Sequence, residues 1–185
     1  MKSFAFVFPG QGSQSVGMLD AWSDDPAVGA TLQEASDALG EDIGRLIHEG
    51  PKAALDLTTH PQPVMLTAAI ACYRAWLHEG GAEPAAVAGH SLGEYSALVA
   101  AGALSLADAL PLVRFRAQAM QEAVPVGAGA MAAILGLEAA VVSQVCAQAA
   151  ATTGQAVEAA NFNDPKQTVI AGTKAGVDKA CELLK

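Results

Sequence analysis

The chain has 185 residues, of which 52% are hydrophobic and 16% charged, a composition typical of a globular protein with a sizeable core. Its net charge of −9 at pH 7 argues against a nucleic-acid partner. No uncharged apolar run approaches the roughly 18 residues that indicate a membrane span, and the N-terminal apolar run is too short for a signal peptide. We therefore expect a cytoplasmic protein that contacts neither membrane nor nucleic acid.

Cysteine and histidine spacing predicts neither a metal site nor a disulfide. The three cysteines lie far apart in the chain: Cys72, Cys146 and Cys181. We interpret them as small residues of the core in a reducing compartment. His48, His60 and His78 each lack a second ligand three or four residues away, so solvated or capping roles are favoured over metal binding.

The first 80 residues predict one strand followed by helices. The aromatic-rich run Phe4–Phe8 predicts a central, buried β-strand that ends at Pro9. Helical periodicity, interrupted by glycine and proline, then predicts four helices. These cover Ala30–Leu39, Ile43–His48, Lys52–Leu57 and Pro61–His78.

A G-x-S-x-G motif occupies positions 89–93, with Ser91 at its centre. The apolar run Ala85–Ala88 precedes it and the helical run Glu94–Ala101 follows it. Strand, sharp turn and helix in this order are the context of a nucleophile elbow, in which the serine hydroxyl lies at a helix N-terminus. A chance match in an alanine- and glycine-rich chain is the alternative, and the flanking elements favour the elbow.

The loop Gly10–Gln14 follows the first strand and does not match a dinucleotide-binding motif, because the position of the third glycine holds Ser15. In elbow-containing proteins one oxyanion donor is the N–H after the nucleophile, and another comes from a different loop after a strand. Here these donors are the N–H groups of Leu92 and Gln11. The sequence is equally compatible with a plain turn at Gln11.

A capping pair, Ser105 and Asp108, predicts a further helix that extends to about residue 123. Pro111 inside this segment predicts either a kink or a helix that starts at the proline. Arg114 and Arg116 are two residues apart and point roughly 200° away from each other on a helix. We therefore expect at most one of them to face a pocket.

Residues 125–129 form a linker, and the elements after it follow the order β-α-β-β-α. They cover Ala130–Leu137, Glu138–Ala151, Val157–Phe162, Gln167–Gly172 and Ala175–Leu184. This order is typical of a ferredoxin-like fold without its last strand. The first of these strands is then expected at an unpaired edge, as if the chain were cut short.

With these elements placed, the sequence resembles the malonyl-CoA:acyl carrier protein transacylases of fatty-acid synthesis over essentially its whole length. Five segments carry the resemblance: Phe8–Gln14, Gly89–Ser96, Gly129–Ala133, Asn161–Asn163 and Val169–Gly172. The resemblance implies an α/β fold, with an α/β-hydrolase-like core at 1–127 and a ferredoxin-like subdomain, lacking its last strand, at 128–185.

The resemblance also implies roles for individual residues. Ser91 is the nucleophile that becomes an acyl-serine, and the N–H groups of Gln11 and Leu92 bind the oxyanion. Arg116 matches the arginine that holds the free carboxylate of the malonyl group, a task that suits a planar guanidinium. Two further positions match pocket residues: Gln62 and His90.

The implied activity is transfer of a malonyl group from malonyl-CoA to the phosphopantetheine thiol of acyl carrier protein, without a cofactor or metal. The family's general base is a histidine downstream of the small subdomain, and no histidine follows Ser91 here. The resemblance thus implies the N-terminal part of a longer protein. A serine esterase or thioesterase, which needs an acid and then a histidine after the serine, and an incomplete fragment that binds CoA or carrier protein are the alternatives.

Overall fold

The computed structural model describes residues 3–55, 59–125 and 127–185. Its contacts divide the chain into two compact units, Met1–Gln121 and Glu122–Lys185. Each unit combines helices with a β-sheet, so the α/β class predicted from the sequence is confirmed. The predicted domain division between residues 127 and 128 stays a prediction.

The sheet of the first unit consists of two parallel strands, β1 (Ala5–Phe8) and β2 (Ala86–Gly89). The expectation of a buried first strand is wrong for part of β1, because Phe8 is 3% exposed whereas its neighbour Val7 is 73% exposed. Alternate residues of a strand point to opposite faces. One face of β1 packs its aromatic rings against Tyr73, while the opposite face, at Val7, is open.

In the described part of the first unit, six helices and one 3₁₀ turn accompany the sheet, and the last helix extends just past the unit's boundary. They are the 3₁₀ turn Asp20–Trp22, α1 (Pro26–Leu39), α2 (Ile43–Glu49), α3 (Lys52–Leu55), α4 (Pro61–His78), α5 (Gly93–Ala100) and α6 (Leu106–Ala123). Helix α1 begins earlier than predicted because Asp25 caps it, accepting a hydrogen bond from the N–H of Ala27 at 2.7 Å, with Pro26 at the first position. The end of the predicted third helix, residues 56 and 57, lies outside the described residues.

Helix α6 begins at the predicted cap. The Ser105 Oγ accepts a hydrogen bond from the N–H of Asp108 at 3.0 Å and donates one to its carboxylate at 2.5 Å. Pro111 lies inside the helix, so a start at the proline is wrong. The cap determines where the helix starts, because the first backbone N–H groups of a helix lack acceptors within it and the Ser105 hydroxyl supplies one.

The main core is built around α4, which is buried along most of its length. Leu66 and Ile70 of α4 pack with Ile47 of α2 and Leu110 of α6, and each is at most 1% exposed. The N-terminal turn of α4 carries Gln62, which is 3% exposed. The same helix that anchors the core therefore fixes one of the predicted site residues.

The second unit contains three antiparallel strands in the order β3-β5-β4. Its elements are β3 (Gly129–Leu135), α7 (Ala139–Thr153), β4 (Val157–Asp164), β5 (Gln167–Thr173) and α8 (Lys174–Leu183). A separate core forms from Val142 and Cys146 of α7, Ile170 of β5 and Val177 of α8. The predicted β-α-β-β-α order is confirmed, and within the described ranges β3 pairs with β5 alone, as expected of an edge strand.

Within the part of the chain that the structure describes, none of the helices combines the length and apolarity that crossing a membrane requires.

Leu110 and Leu112 of α6 form a matched pair for testing this core, since Leu110 is 0% and Leu112 44% exposed. We expect Leu110→Ala to lower the free energy of unfolding by about 2–5 kcal/mol, because it leaves a cavity. Leu112→Ala, at the surface, should change it by roughly 0.5 kcal/mol. Urea denaturation followed by circular dichroism measures both values. Equal losses would contradict the burial described for α6.

Candidate active site

The turn between β2 and α5 has the geometry of a nucleophile elbow. Ser91 has a φ of +54° and, within the described ranges, is the sole non-glycine residue with positive φ. The N–H of Gly93 donates to the carbonyl of His90 at 2.9 Å, and the N–H of Glu94 donates to the carbonyl of Ser91 at 3.2 Å. A serine in this sparsely populated conformation, between strand and helix, is the arrangement that exposes a nucleophile.

The two glycines of the motif are required by close backbone packing. A Cβ atom at Gly89 would lie 1.9 Å from the carbonyl carbon and oxygen of Gly93. A Cβ atom at Gly93 would lie 2.2 Å from the carbonyl oxygen of Phe8, at the end of β1. Both distances are far inside van der Waals contact, so the elbow closes only where neither residue has a side chain.

Ser91 lies at the N-terminus of α5, and its side chain is exposed. Leu92, the N-cap residue, is 1% exposed and packs in the main core. The first N–H groups of a helix have no partner within it, and the helix dipole adds positive potential there. The N–H of Leu92 lies at this helix N-terminus, directly after Ser91, and its role as an oxyanion donor stays a prediction.

The predicted oxyanion loop lies beside the elbow because β1 and β2 are parallel. Phe8 pairs with Gly89 in the register, so both strands end at the same edge of the sheet. A Cβ atom at Gly10 would lie 3.2 Å from the carbonyl oxygen of His90 and 3.6 Å from its Nδ1. The exposed residue Gln11 follows directly, and the loop and the elbow are thus brought together.

Arg116 and Gln62 come from distant parts of the sequence and meet Ser91. The guanidinium of Arg116 donates from Nη2 to the Oγ of Ser91 at 2.9 Å and from Nη1 to the Oε1 of Gln62 at 2.7 Å. The Nε2 of Gln62 donates to the sulfur of Met120 at 3.6 Å. Since a guanidinium only donates and a thioether only accepts, this network fixes the orientation of the Gln62 amide.

A hydroxyl at a strained turn, a helix N-terminus behind it and a guanidinium in contact with it are the components of acyl transfer to serine. The family description "Acyl transferase domain" matches residues 5–185. The chain belongs to the acyl transferase domain family.

Within this family, the malonyl CoA-acyl carrier protein transacylase of Escherichia coli is 55% identical over 181 residues, which are 97% of this chain and 58% of that protein. The chain thus spans about three fifths of the length of the curated relatives it matches. The crystal structure of an acyl-carrier-protein S-malonyltransferase from Burkholderia pseudomallei superposes with a TM-score of 0.93 at 69% identity, covering 99% of this chain and 59% of that one.

A second solved structure is a malonyl-transacylase in complex with its type II PKS acyl-carrier protein. It has a TM-score of 0.92 and 47% identity, and it covers 99% of this chain and 59% of that chain. The similarity to these structures confirms the predicted acyltransferase fold. The roles predicted for single residues stay predictions, and the geometry decides only which of those residues meet.

The two arginines of α6 diverge, which confirms that at most one of them faces the site. Arg114 forms an ion pair with Glu41 and donates to the carbonyl of Leu39 at 3.2 Å. Arg116 contacts Ser91 and Gln62. The partners of Arg114 lie at the end of α1 and in the loop after it. The side chain contacting Ser91 is therefore the one that the resemblance selected.

Three histidines pair with carboxylates of other segments. His48 contacts Asp20 at 2.5 Å, and His60 contacts both Glu41 at 3.1 Å and the carbonyl of Ala54 at 2.8 Å. His78 contacts the carboxylate of Asp25 at 3.3 Å. The remaining one, His90, lies next to Ser91 with its ring against Gly10.

Among the described residues, one group of side chains offers metal-ligating atoms within 4.8 Å of each other: Asp25, His78 and Glu79. The carboxylate of Asp25 already caps α1 and accepts from His78. Capping and ion pairing explain these contacts, and we assign the group no ligand role.

The three cysteines are free thiols. Cys146 is buried, whereas Cys72 and Cys181 are half-buried. Burial raises the pKa of the Cys72 thiol, and burial, with smaller contributions from Cys181 and Glu158, raises the pKa of Cys146. A raised pKa keeps a thiol protonated at neutral pH and makes it a poor nucleophile, so neither thiol competes with Ser91 for an acyl group.

Gly93 provides a test of the elbow, with Gly29 of α1 as the matched control. We expect Gly93→Ala to destabilise the protein by more than about 1 kcal/mol, because its Cβ collides with the backbone of β1. A Cβ at Gly29 meets nothing within 4 Å, so Gly29→Ala should stabilise the helix by about 0.5–1 kcal/mol. Thermal unfolding measures both. A Gly93→Ala protein as stable as the parent would show that the close contact is absent.

Proposed function

We propose that this chain carries the nucleophile and the acid-binding arginine of a malonyl-CoA:acyl carrier protein transacylase. The observation that carries the proposal is the 2.9 Å contact between Arg116 and Ser91 at a nucleophile elbow. A guanidinium at this distance binds a carboxylate only a few bonds away from the carbonyl that the serine attacks. Such spacing fits a short dicarboxylic acyl group, of which malonyl is the three-carbon case.

The charge around Arg116 supports an anionic acyl group. In the described part of the chain its partners are a neutral amide, a hydroxyl and the ring of Tyr95. Arg114, in contrast, is neutralised by Glu41. The positive charge beside Ser91 is therefore left for a ligand, and a carboxylate forms stronger, charge-assisted hydrogen bonds with it than a hydroxyl does.

The proposed reaction proceeds in two acyl transfers. The malonyl carboxylate replaces the Oγ of Ser91 at Arg116, and the released Oγ attacks the thioester carbonyl. The N–H groups of Leu92 and Gln11 hold the oxyanion; the C–S bond then breaks, and CoA leaves as a thiol with the serine proton. The phosphopantetheine thiol of acyl carrier protein attacks the malonyl-serine ester, the C–O bond breaks, and the proton returns to Ser91.

Gln62 and His90 complete the proposed site as positioning and pocket residues. The buried amide of Gln62 orients Arg116, and His90 borders the oxyanion loop. The proposal uses only groups of the chain and the CoA thioester, with no cofactor, and its substrates suggest a cytoplasmic location. It assigns no general base among these residues.

Arg116→Ala tests the acid-binding role, and Arg114→Ala is its control. We expect Arg116→Ala to lower kcat/KM for malonyl-CoA by about 10- to 100-fold, because a charge-assisted pair with the carboxylate is lost. Transfer of an acetyl group, which has no carboxylate, should change by less than about threefold. Arg114→Ala should affect both donors equally. Equal losses for both donors in Arg116→Ala would remove the proposed role.

Intact mass spectrometry after incubation with malonyl-CoA tests the nucleophile. We expect one malonyl adduct on the protein and none on Ser91→Ala, because the ester forms on that hydroxyl. The adduct should disappear faster with a phosphopantetheine thiol than with water alone. If the adduct disappears equally fast with and without the thiol, water is the acceptor and a thioesterase is supported instead. If no adduct forms, a binding fragment is supported.

A further inference from the structure

The ring of Tyr95 lies against the guanidinium of Arg116, at 5.9 Å from the Cζ atom to the ring centroid. This separation is within the range of a cation–π interaction. Tyr95 is half-buried and packs against the main core. It is thus a supported side chain and not a mobile one, and it presents a fixed aromatic surface to the arginine.

Tyr95 is also part of the same rigid element as the nucleophile. It lies four residues after Ser91, in the first turn of α5, and its N–H donates to the carbonyl of Leu92 at 3.0 Å. Ser91 directly precedes the N-cap residue of this helix, and Arg116 contacts both side chains. The elbow and the first turn of α5 therefore carry the hydroxyl that takes the acyl group and a ring that contacts the arginine.

We infer that Tyr95 is a positioning residue that sets the place of Arg116 relative to Ser91 and thereby selects for malonyl among short acyl groups. This inference rests on the function proposed above. It concerns a residue that does not touch the reacting atoms and that acts through Arg116.

Acylation explains why the ring is needed. In the free protein the guanidinium is held by Gln62, Ser91 and Tyr95. Once Ser91 is esterified, its oxygen is a poor acceptor and Arg116 turns to the substrate carboxylate. Gln62 then restrains the guanidinium through Nη1, and the ring of Tyr95 remains beside it. Without the ring, the guanidinium can shift to bind carboxylates that lie at other distances from the ester. Discrimination between acyl groups of different length then declines.

The test compares Tyr95→Phe, Tyr95→Leu and Tyr95→Met in the complete protein, with malonyl-, succinyl- and acetyl-CoA as donors. We expect Tyr95→Leu and Tyr95→Met to lower kcat/KM for malonyl-CoA by about threefold to tenfold, chiefly through KM, because a cation–π contact is lost. Acetyl transfer should be unchanged, and the preference for malonyl over succinyl should fall. Tyr95→Phe keeps the ring and should retain the parent values. Tyr95→Met keeps apolar volume and serves if the leucine variant does not fold.

Phe115→Leu is the matched control, since it removes an exposed aromatic ring next to Arg116 in the sequence and should leave selectivity intact. A double-mutant cycle with Arg116→Ala isolates the coupling, because removal of the ring should have no further effect on malonyl transfer once the arginine is absent. Equal losses for malonyl and acetyl, or an undiminished effect of Tyr95→Leu in the Arg116→Ala background, overturns the inference while the proposed function stands. A parent protein that forms no malonyl-serine overturns both.

Discussion

The close contact between the backbones of Gly89, Gly93 and the end of β1 is the constraint on which the site depends. It folds the start of α5 onto the sheet and forces the intervening serine to positive φ. The parallel pairing of β1 and β2 then brings the loop that carries Gln11 to the same edge. A hydroxyl, a helix N-terminus and a second loop meet there because two residues lack side chains.

The chemistry of the site depends equally on the neutral partners of Arg116, which leave its positive charge uncompensated in the part of the chain that the structure describes. Arg114 and Arg116 share a helix, yet Glu41 neutralises the first, and neutral groups surround the second within the described residues. A carboxylate in place of Gln62 would form an ion pair with Arg116 and compete with any acidic substrate. The buried amide of Gln62 accepts a hydrogen bond from the guanidinium and so orients it. Because the amide is neutral, it does not cancel the positive charge, which stays available to a ligand.

Local sequence signals predicted the elements and the elbow, because strand, turn and helix are encoded within a few residues of Ser91. They did not predict contacts between distant segments. Helical geometry showed that Arg114 and Arg116 diverge, and the family resemblance selected Arg116. The partners that separate the two arginines, Glu41 and Gln62, come from other helices and loops, so local signals alone could not choose between them. The contact of Tyr95 with Arg116 could not be predicted either, because the two residues belong to different helices. The exposure of Val7 was mispredicted because burial depends on which elements pack on a strand.

Burial of Leu92 offsets the backbone strain at the preceding residue, Ser91. A residue held in a sparsely populated backbone region costs about 1–3 kcal/mol. Leu92 is 1% exposed in the main core, and full burial of a leucine contributes about 1.5–3 kcal/mol. The two free energies are of the same size. The turn that buries Leu92 therefore exposes Ser91 to solvent with little net change in the free energy of folding. The exposure of Ser91 and the burial of Leu92 are thus two consequences of one turn.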